Sequence, residues 1–371
     1  MKKTICLTMI VKNEAGFISK SLQYIKDYID YYVICDTGST DGTPDIIKKT
    51  LRNIPGQILY HDWKDFSTNR NLSIEASKYK ADYILIMDAD DKFIIENKDA
   101  FKNLEDDIYS VKIINNNIEN YKPILLKNSI DFKFSGIVYE QLNFPETCKK
   151  SNLEGLYIHY NAFKSFRNIN PNKSIEDCKL LEKELVKDPN NLRNIFYLAQ
   201  SYRDAGNDPK AIELYEKRAK MGGDHDEVFV SLFEIAKAKQ KLKYPTFDIE
   251  VAYLKASYFS EKRAAESLYY LSRFFRIKEN FNKSNCYAIE ALKYKKPNSG
   301  LNIDFYCYKY KILDELAYSN YKLGNIEKSK KIYQKILSLD IPESEKLRFN
   351  MILKANKMQS FLDKVSNKSI K

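Results

Sequence analysis

An apolar run that ends in acid constrains this chain most. Tyr83-Ile84-Leu85-Ile86-Met87 is bounded by Asp82 on one side and by Asp88-Ala89-Asp90-Asp91 on the other. So short a run between charges reads as a buried strand rather than a helix. Carboxylates at the end of a buried strand can reach water, a ligand or a metal. Asp88 and Asp90 are two positions apart and would face the same way on an extended backbone. Two hard oxygen donors side by side suit Mg²⁺ or Mn²⁺, which prefer carboxylate, water and phosphate oxygen. An acidic turn with no ligand is the bland alternative for this stretch alone.

The residues around it set a rhythm. Residues 5–11 fit a first central strand that breaks at Lys12-Asn13-Glu14, after which Phe17, Leu22, Ile25 and Ile29 predict an amphipathic helix. Residues 31–35 read as a second strand, and Pro44 opens a helix through Leu51. A short third strand over 58–60 and a helix over 69–79 lead back to the acidic strand. Strand and helix in alternation predict an open, mostly parallel α/β sheet. Ligands of such sheets bind beyond the carboxyl ends of the strands, where Asn13, Asp36 and Asp88 all fall. The loop 36–43, Asp-Thr-Gly-Ser-Thr-Asp-Gly-Thr, offers hydroxyls and amides near a helix start, a place to hold a base, ribose or phosphate. It is neither a dinucleotide fingerprint nor a P-loop, because the required glycines and the Gly-Lys-Ser/Thr ending are absent.

Composition excludes several classes. Of 371 residues, 44% are hydrophobic and 30% charged, which describes a folded chain long enough for two domains. No apolar run has the length to cross a bilayer and no cleavable leader is visible, so a cytoplasmic, non-membrane-spanning protein is expected. The six cysteines are widely separated, which argues against zinc and disulfide frameworks. The net charge of +11 is spread along the chain, and no nucleic-acid reader motif accompanies it.

Met9-Ile10-Val11-Lys12-Asn13-Glu14, the loop 36–43, Arg70-Asn71 and Asp88-Ala89-Asp90-Asp91, in this order and spacing, resemble family 2 of the glycosyltransferases, inverting enzymes with the GT-A fold. The resemblance implies nucleoside contacts from Met9 and Asp36, with Asn13 and Glu14 in the same donor site. It places Arg70 near the donor, and Asp88 with Asp90 on a divalent cation that meets the diphosphate of a UDP-sugar. Further on, Gly136-Ile137-Val138-Tyr139-Glu140 is similar to the family's Gly-x-Val-His-Glu segment, with Tyr139 in place of the usual His. Glu140 is the candidate general base and Asp91 the runner-up. Lys127 sits where the family more often has Arg, and His159 where it often has a His near the metal or diphosphate.

From Ser174 onward the pattern is helical. Ala199, Tyr202, Gly206, Ala211 and Tyr215 have the small–aromatic–glycine spacing of a tetratricopeptide (TPR) unit, and Ala317, Gly324, Ser329 and Tyr333 repeat it. A looser unit covers 262–294. The expected organisation is a GT-A domain over 1–170, a TPR-like helical domain over 171–355 and a polar tail over 356–371. The expected activity is metal-dependent transfer of a hexose, glucose or a relative, to an acceptor that is a protein, peptide or glycan. The helical domain either binds a partner, a second copy included, or braces the catalytic domain. The rival readings are a nucleotidyltransferase, which lacks its glycine-rich loop here, and a TPR-type scaffold whose GT-A domain is inactive.

Overall fold

The computed structural model describes residues 3–160, 170–298 and 300–366, with side chains described up to Ala355. Residues 161–169, just before the expected division at 170/171, and the end of the expected tail, residues 367–371, lie outside the described residues. The chain divides into two compact units, Met1–Met221 with Ser299–Asn302, and Gly222–Asn298 with Ile303–Lys371.

In the first unit, β1 (Ile5–Val11), β2 (Tyr31–Asp36), β3 (Gly56–Tyr60) and β4 (Tyr83–Ile86) alternate with α1 (Ile18–Gln23), α2 (Thr43–Thr50) and α3 (Phe66–Ser77). There follow β5 (Lys92–Ile95), β6 (Ile108–Asn115), β7 (Ile118–Lys127), the hairpin β8 (Lys133–Ser135) and β9 (Gln141–Asn143), and β10 (Lys150–His159). The sheet order is β3-β2-β1-β4-β7-β6-β10-β5. The first four strands are parallel, whereas β7 runs antiparallel to both β4 and β6. The GT-A-like sheet is therefore mixed: tight hairpins can only pair antiparallel, and Asn116, at φ 54, turns the chain between β6 and β7.

Strand period explains how the faces are covered. Leu7, Met9 and Val11 of β1 and Leu85 of β4 share one core with Ile18, Leu22 and Ile47. Ile84 and Ile86 point the other way and pack with Ile74 of α3, Leu126 of β7 and Phe134 of β8. Both faces are dry, so the strands read as continuous apolar runs. The chain visits β2 and β3 on one side of β1, then β4 on the other. Open α/β sheets bind ligands at such a reversal, which here falls at the carboxyl ends of β1 and β4.

Beyond the sheet, the first unit also holds α4 (Lys173–Lys187), α5 (Leu192–Asp204) and α6 (Asp208–Met221). The residues of the first expected repeat behave as its spacing implies: Ala199, Ala211 and Tyr215 are buried, and Gly206 turns the chain at φ 82.

The second unit, an all-α TPR-like array, comprises α7 (His225–Lys241), α8 (Thr246–Phe259), α9 (Ala264–Ile277), α10 (Phe281–Ala291), α11 (Ile312–Lys322), α12 (Ile326–Leu337) and α13 (Glu343–Ser366). Ala317, Ser329 and Tyr333 are buried where α11 and α12 meet. The last helix runs into the segment expected to be a tail. Arg263 and Glu266, each 2% exposed, form a two-pronged pair at 2.7 and 2.9 Å. Tyr308 donates to Glu266 at 3.0 Å, and the Phe229 ring lies 4.5 Å from the guanidinium. Removing one partner of a buried pair strands the other charge. Glu266→Ala is therefore expected to destabilise the protein by about 3–5 kcal/mol, read as a lower denaturant midpoint.

Candidate active site

The site begins with two loops stitched together at the ends of β1 and β2. Asp36 closes β2, and its Oδ1 accepts from the amides of Gly38 and Ser39, both at 2.9 Å. Gly38 holds a φ of 97, which a side chain would disfavour. The amide of Asn13 donates to Ser39 Oγ at 2.9 Å, and Asn13 Oδ1 accepts from the amide of Thr40 at 2.8 Å. The Glu14 amide donates to Thr43 Oγ1 at 2.8 Å and the Ala15 amide to Asp41 Oδ2 at 2.9 Å. Asn13 and Glu14 thus hold the loop 36–43 in shape. The buried Asp36 Oδ2 has no hydrogen-bond partner among the described residues, a cost that a donor from a ligand would remove. Met9 is 1% exposed inside the core, so its side chain faces away from this edge.

The second part is built on α3. Asp65 caps this helix, its Oδ1 accepting from the Thr68 amide at 2.7 Å. Four residues into the helix, Arg70 is buried with 6% of its side chain exposed. Its Nε donates to Glu140 Oε1 at 2.7 Å, and its Nη2 donates to Asp88 Oδ1. Asn71 fastens the hairpin that carries Glu140: its amide nitrogen donates to the Phe134 carbonyl at 2.9 Å, and its oxygen accepts from the Phe134 amide at 2.8 Å.

The acidic stretch differs from its expected form. β4 stops at Ile86, and Asp88 to Asp91 form a turn closed by the Asp91 amide on the Asp88 carbonyl at 3.1 Å. Asp88 and Asp90 are therefore presented by a turn, not by an extended strand. Asp88 still continues the parity of Ile84 and Ile86, toward the face covered by α3. Burial opposes its ionisation, yet Arg70 and then Lys122 hold the Asp88 carboxyl well below the usual range. Asp91 goes the other way, raised by burial and then by the Asp88 charge. Glu140, despite burial, is held low by Arg70 and then Lys122. Burial and then the three carboxylates of the turn push the Tyr160 phenol up.

Lys127 requires a correction. It pairs with Asp107 at 3.3 Å and stands opposite Tyr83, at the start of β4 rather than its end. The antiparallel register that sets Leu125 against Leu85 carries Lys122 to Asp88, where its Nζ donates to Oδ2 at 3.3 Å. Lys122 was missed because its position depends on strand direction; a hairpin read from Asn116-Asn117 would have shown it. His159 ends β10 opposite Lys92, the residue after Asp91, so β5–β10 pairing brings its exposed side chain to the rim of the turn. Tyr139 turns away from the carboxylates. Its ring stacks on Tyr197 of α5 at 4.4 Å, and its phenol, pushed up to about 12 chiefly by burial, donates to Asp177 Oδ2 at 3.3 Å.

Because Asp65 positions the helix that carries Arg70, Asp65→Ala is expected to cost about 1 kcal/mol at pH 7. The Asp65 carboxyl is held below its usual value by bonds to Thr68 and Ser67, working against burial. Its contribution is thus present above the unfolded pKa and lost as pH falls through the folded one. Denaturant midpoints of the two proteins should converge below about pH 4, where even the unfolded carboxyl begins to protonate.

Residues 6–161 match the family model described as Glycosyl transferase family 2. A curated relative, the SPbeta prophage-derived glycosyltransferase SunS of Bacillus subtilis (strain 168), is 28% identical over 226 residues, 58% of this chain and 53% of its own. A TPR repeat-containing protein of Synechococcus elongatus is 39% identical over 93 residues, 25% of this chain and 22% of its own. The chain spans about half the length, or less, of the curated relatives it matches. Among solved structures, MamA is similar over 47% of this chain and 94% of its own, at 15% identity and a TM-score of 0.37, too low to bear weight. The chain carries an N-terminal domain of glycosyl transferase family 2, followed by a TPR-like helical region.

Proposed function

We propose that the chain transfers one hexose from a UDP-sugar, UDP-glucose or a relative, to an acceptor nucleophile with inversion at the anomeric carbon. The observation that carries this reading is the convergence of Arg70 and Lys122 on Asp88, with Glu140 on the same guanidinium, inside a domain of this family. Departure of a nucleoside diphosphate builds negative charge on its oxygens, and positive groups fixed in advance stabilise that charge. Arg70 and Lys122 are such groups. Asp36, with an unpartnered buried oxygen beside amide-rich loop 36–43, is suited to accept from the nucleoside.

Among the described residues no three or more His, Cys, Asp or Glu side chains form a group that could hold a metal. Two carboxylates, Asp88 and Asp90, nevertheless fit Mg²⁺ or Mn²⁺, which is commonly held by one or two carboxylates with water and substrate phosphate completing the shell. His159 at the rim is a further candidate ligand. Both Asp88 oxygens accept from cations of the protein, so one of those bonds has to be given up for Asp88 to serve an ion. When bound, the ion supplies positive charge to the diphosphate. Glu140, kept ionised by Arg70, is the group to take the acceptor's proton, and Asp91 is the second candidate.

The helical repeats favour a protein or peptide acceptor over a glycan. Phe247 and Tyr258 of α8, 71% and 81% exposed, offer apolar surface to a partner or a second copy.

The test is slow donor hydrolysis across a panel of nucleotide sugars, with manganese, magnesium or chelator. Release from one donor is expected, lost with chelator and in Asp88→Ala/Asp90→Ala. Lys122→Met should weaken donor binding by about tenfold, the size of one charge-assisted hydrogen bond. If calorimetry detects no donor binding with either ion, the reading fails.

A further inference from the structure

The loop that delivers Glu140 is held from outside the sheet. Gly136, at φ 103, and Tyr139, at φ 52, both take the left-handed region. Glycine enters it freely, whereas a bulky residue such as Tyr139 is costly there and is steadied by contacts that hold it. Three contacts do so. The Tyr139 ring stacks on Tyr197 with an interplanar angle of 7°. Its carbonyl accepts a fork from Arg193, at 3.2 Å from Nε and 3.0 Å from Nη2. Its hydroxyl reaches Asp177, which is 1% exposed. Asp177 lies on α4, while Arg193 and Tyr197 lie on α5. The Arg193 guanidinium also sits 4.7 Å from the Tyr197 ring, so ring, fork and stack form one assembly.

One residue later the chain sends Glu140 the opposite way, onto Arg70 and through it to Asp88. Fixing the Tyr139 backbone fixes the direction in which Glu140 leaves it. We propose that Tyr139 is a positioning residue, held by Arg193 and Tyr197 of α5 and Asp177 of α4, which aims Glu140 at Arg70. The helical pair α4–α5 is then part of the transfer machinery and not only a neighbour of it. This rests on Glu140 being the working carboxylate of the reading above. The Tyr139 side chain is long enough to reach α4 while its ring stacks on α5.

The experiment has two arms. In the kinetic arm, Arg193→Ala should lower kcat by about tenfold, the effect of a small misplacement of a reacting group, and leave KM for the donor within about twofold. In a Glu140→Gln background the same change should cost nothing further, because Arg193 acts only through Glu140. Tyr139→Ala should behave as Arg193→Ala does, while Tyr139→Phe, which keeps stack and fork, retains most of the rate. Additive losses with Glu140→Gln, or a loss confined to KM, overturn the proposal.

The second arm needs no turnover. The Arg70 Nε–H proton, assigned by its disappearance in Arg70→Lys, should exchange slowly by NMR in the wild type and in Tyr139→Phe, and rapidly in Arg193→Ala. Unchanged protection in Arg193→Ala overturns the inference. If that variant does not fold, Arg193→Lys, which keeps the charge and loses the fork, carries the same comparison. A wild type that moves no sugar defeats the reading of function, and the Arg70 proton still decides this one.

Discussion

A single buried guanidinium organises the candidate site in the first unit of this protein. Arg70 joins Asp88, in the turn after a central strand, to Glu140, on a hairpin seventy residues beyond Arg70. Charges so deep in a protein are costly unless paired and hydrogen-bonded, and the cost falls on whichever partner is left alone. Glu140 therefore depends on the guanidinium, Asp88 on the guanidinium and on Lys122, and the guanidinium on the two carboxylates. Arginine suits the position because its planar fork serves two carboxylates in two directions at once, which an ammonium cannot do with the same fixed geometry. Around this pivot the site sorts its acids: Asp88 and Glu140 are held ionised by Arg70 and Lys122, while burial and the Asp88 charge hold Asp91 toward its neutral form.

The elements that supply these groups are fixed locally before they meet. Asp65 sets where α3 begins and hence which turn of the helix carries Arg70. Asn71, the next residue, uses its side-chain amide as a strand would use its backbone, bonding twice to Phe134. Adjacent residues of one helix thus position both the cation and the hairpin that brings its second carboxylate. At the ends of β1 and β2, Asn13 and Asp36 shape a loop of short polar residues by exchanging bonds across it, leaving one Asp36 oxygen without a partner among the described residues. Loops stitched in this way can present polar groups without reorganising, which is what stabilisation of developing charge demands.

Much of this was legible in the residues. The βα rhythm, the strand that ends in acid and the two repeats with small residues at their contacts all follow from local patterning. Arg70, Asp88 and Glu140 were also legible as candidates, although their mutual bonding was not. The extended presentation of Asp88 and Asp90 was not legible, because an apolar run says where a strand is buried but not at which residue its hydrogen bonding stops. Resemblance pointed to Lys127, and nothing local marked Lys122, whose place beside Asp88 depends on strand direction. In an antiparallel pair, the partner of a strand's end is found at the other strand's beginning, so a slip of five residues moves a charge from one edge of the sheet to the other.

The sequence by itself determined the classes of structure and the chemical inventory: apolar runs of strand length, helices with small residues at fixed spacing, and acids and bases grouped beside them. These are properties of contiguous residues, governed by periodicity and local hydrogen bonding. Only the tertiary structure decided which of those groups share a site. Arg70 meets Asp88 because α3 covers the face to which Ile84, Ile86 and Asp88 point. Lys122 reaches Asp88 because β7 runs against β4. Tyr139 faces α5 because a left-handed residue turns the chain there. Each of these pairings joins residues distant in sequence, and depends on which face, direction and turn the packed core selects, a choice made by the whole chain at once.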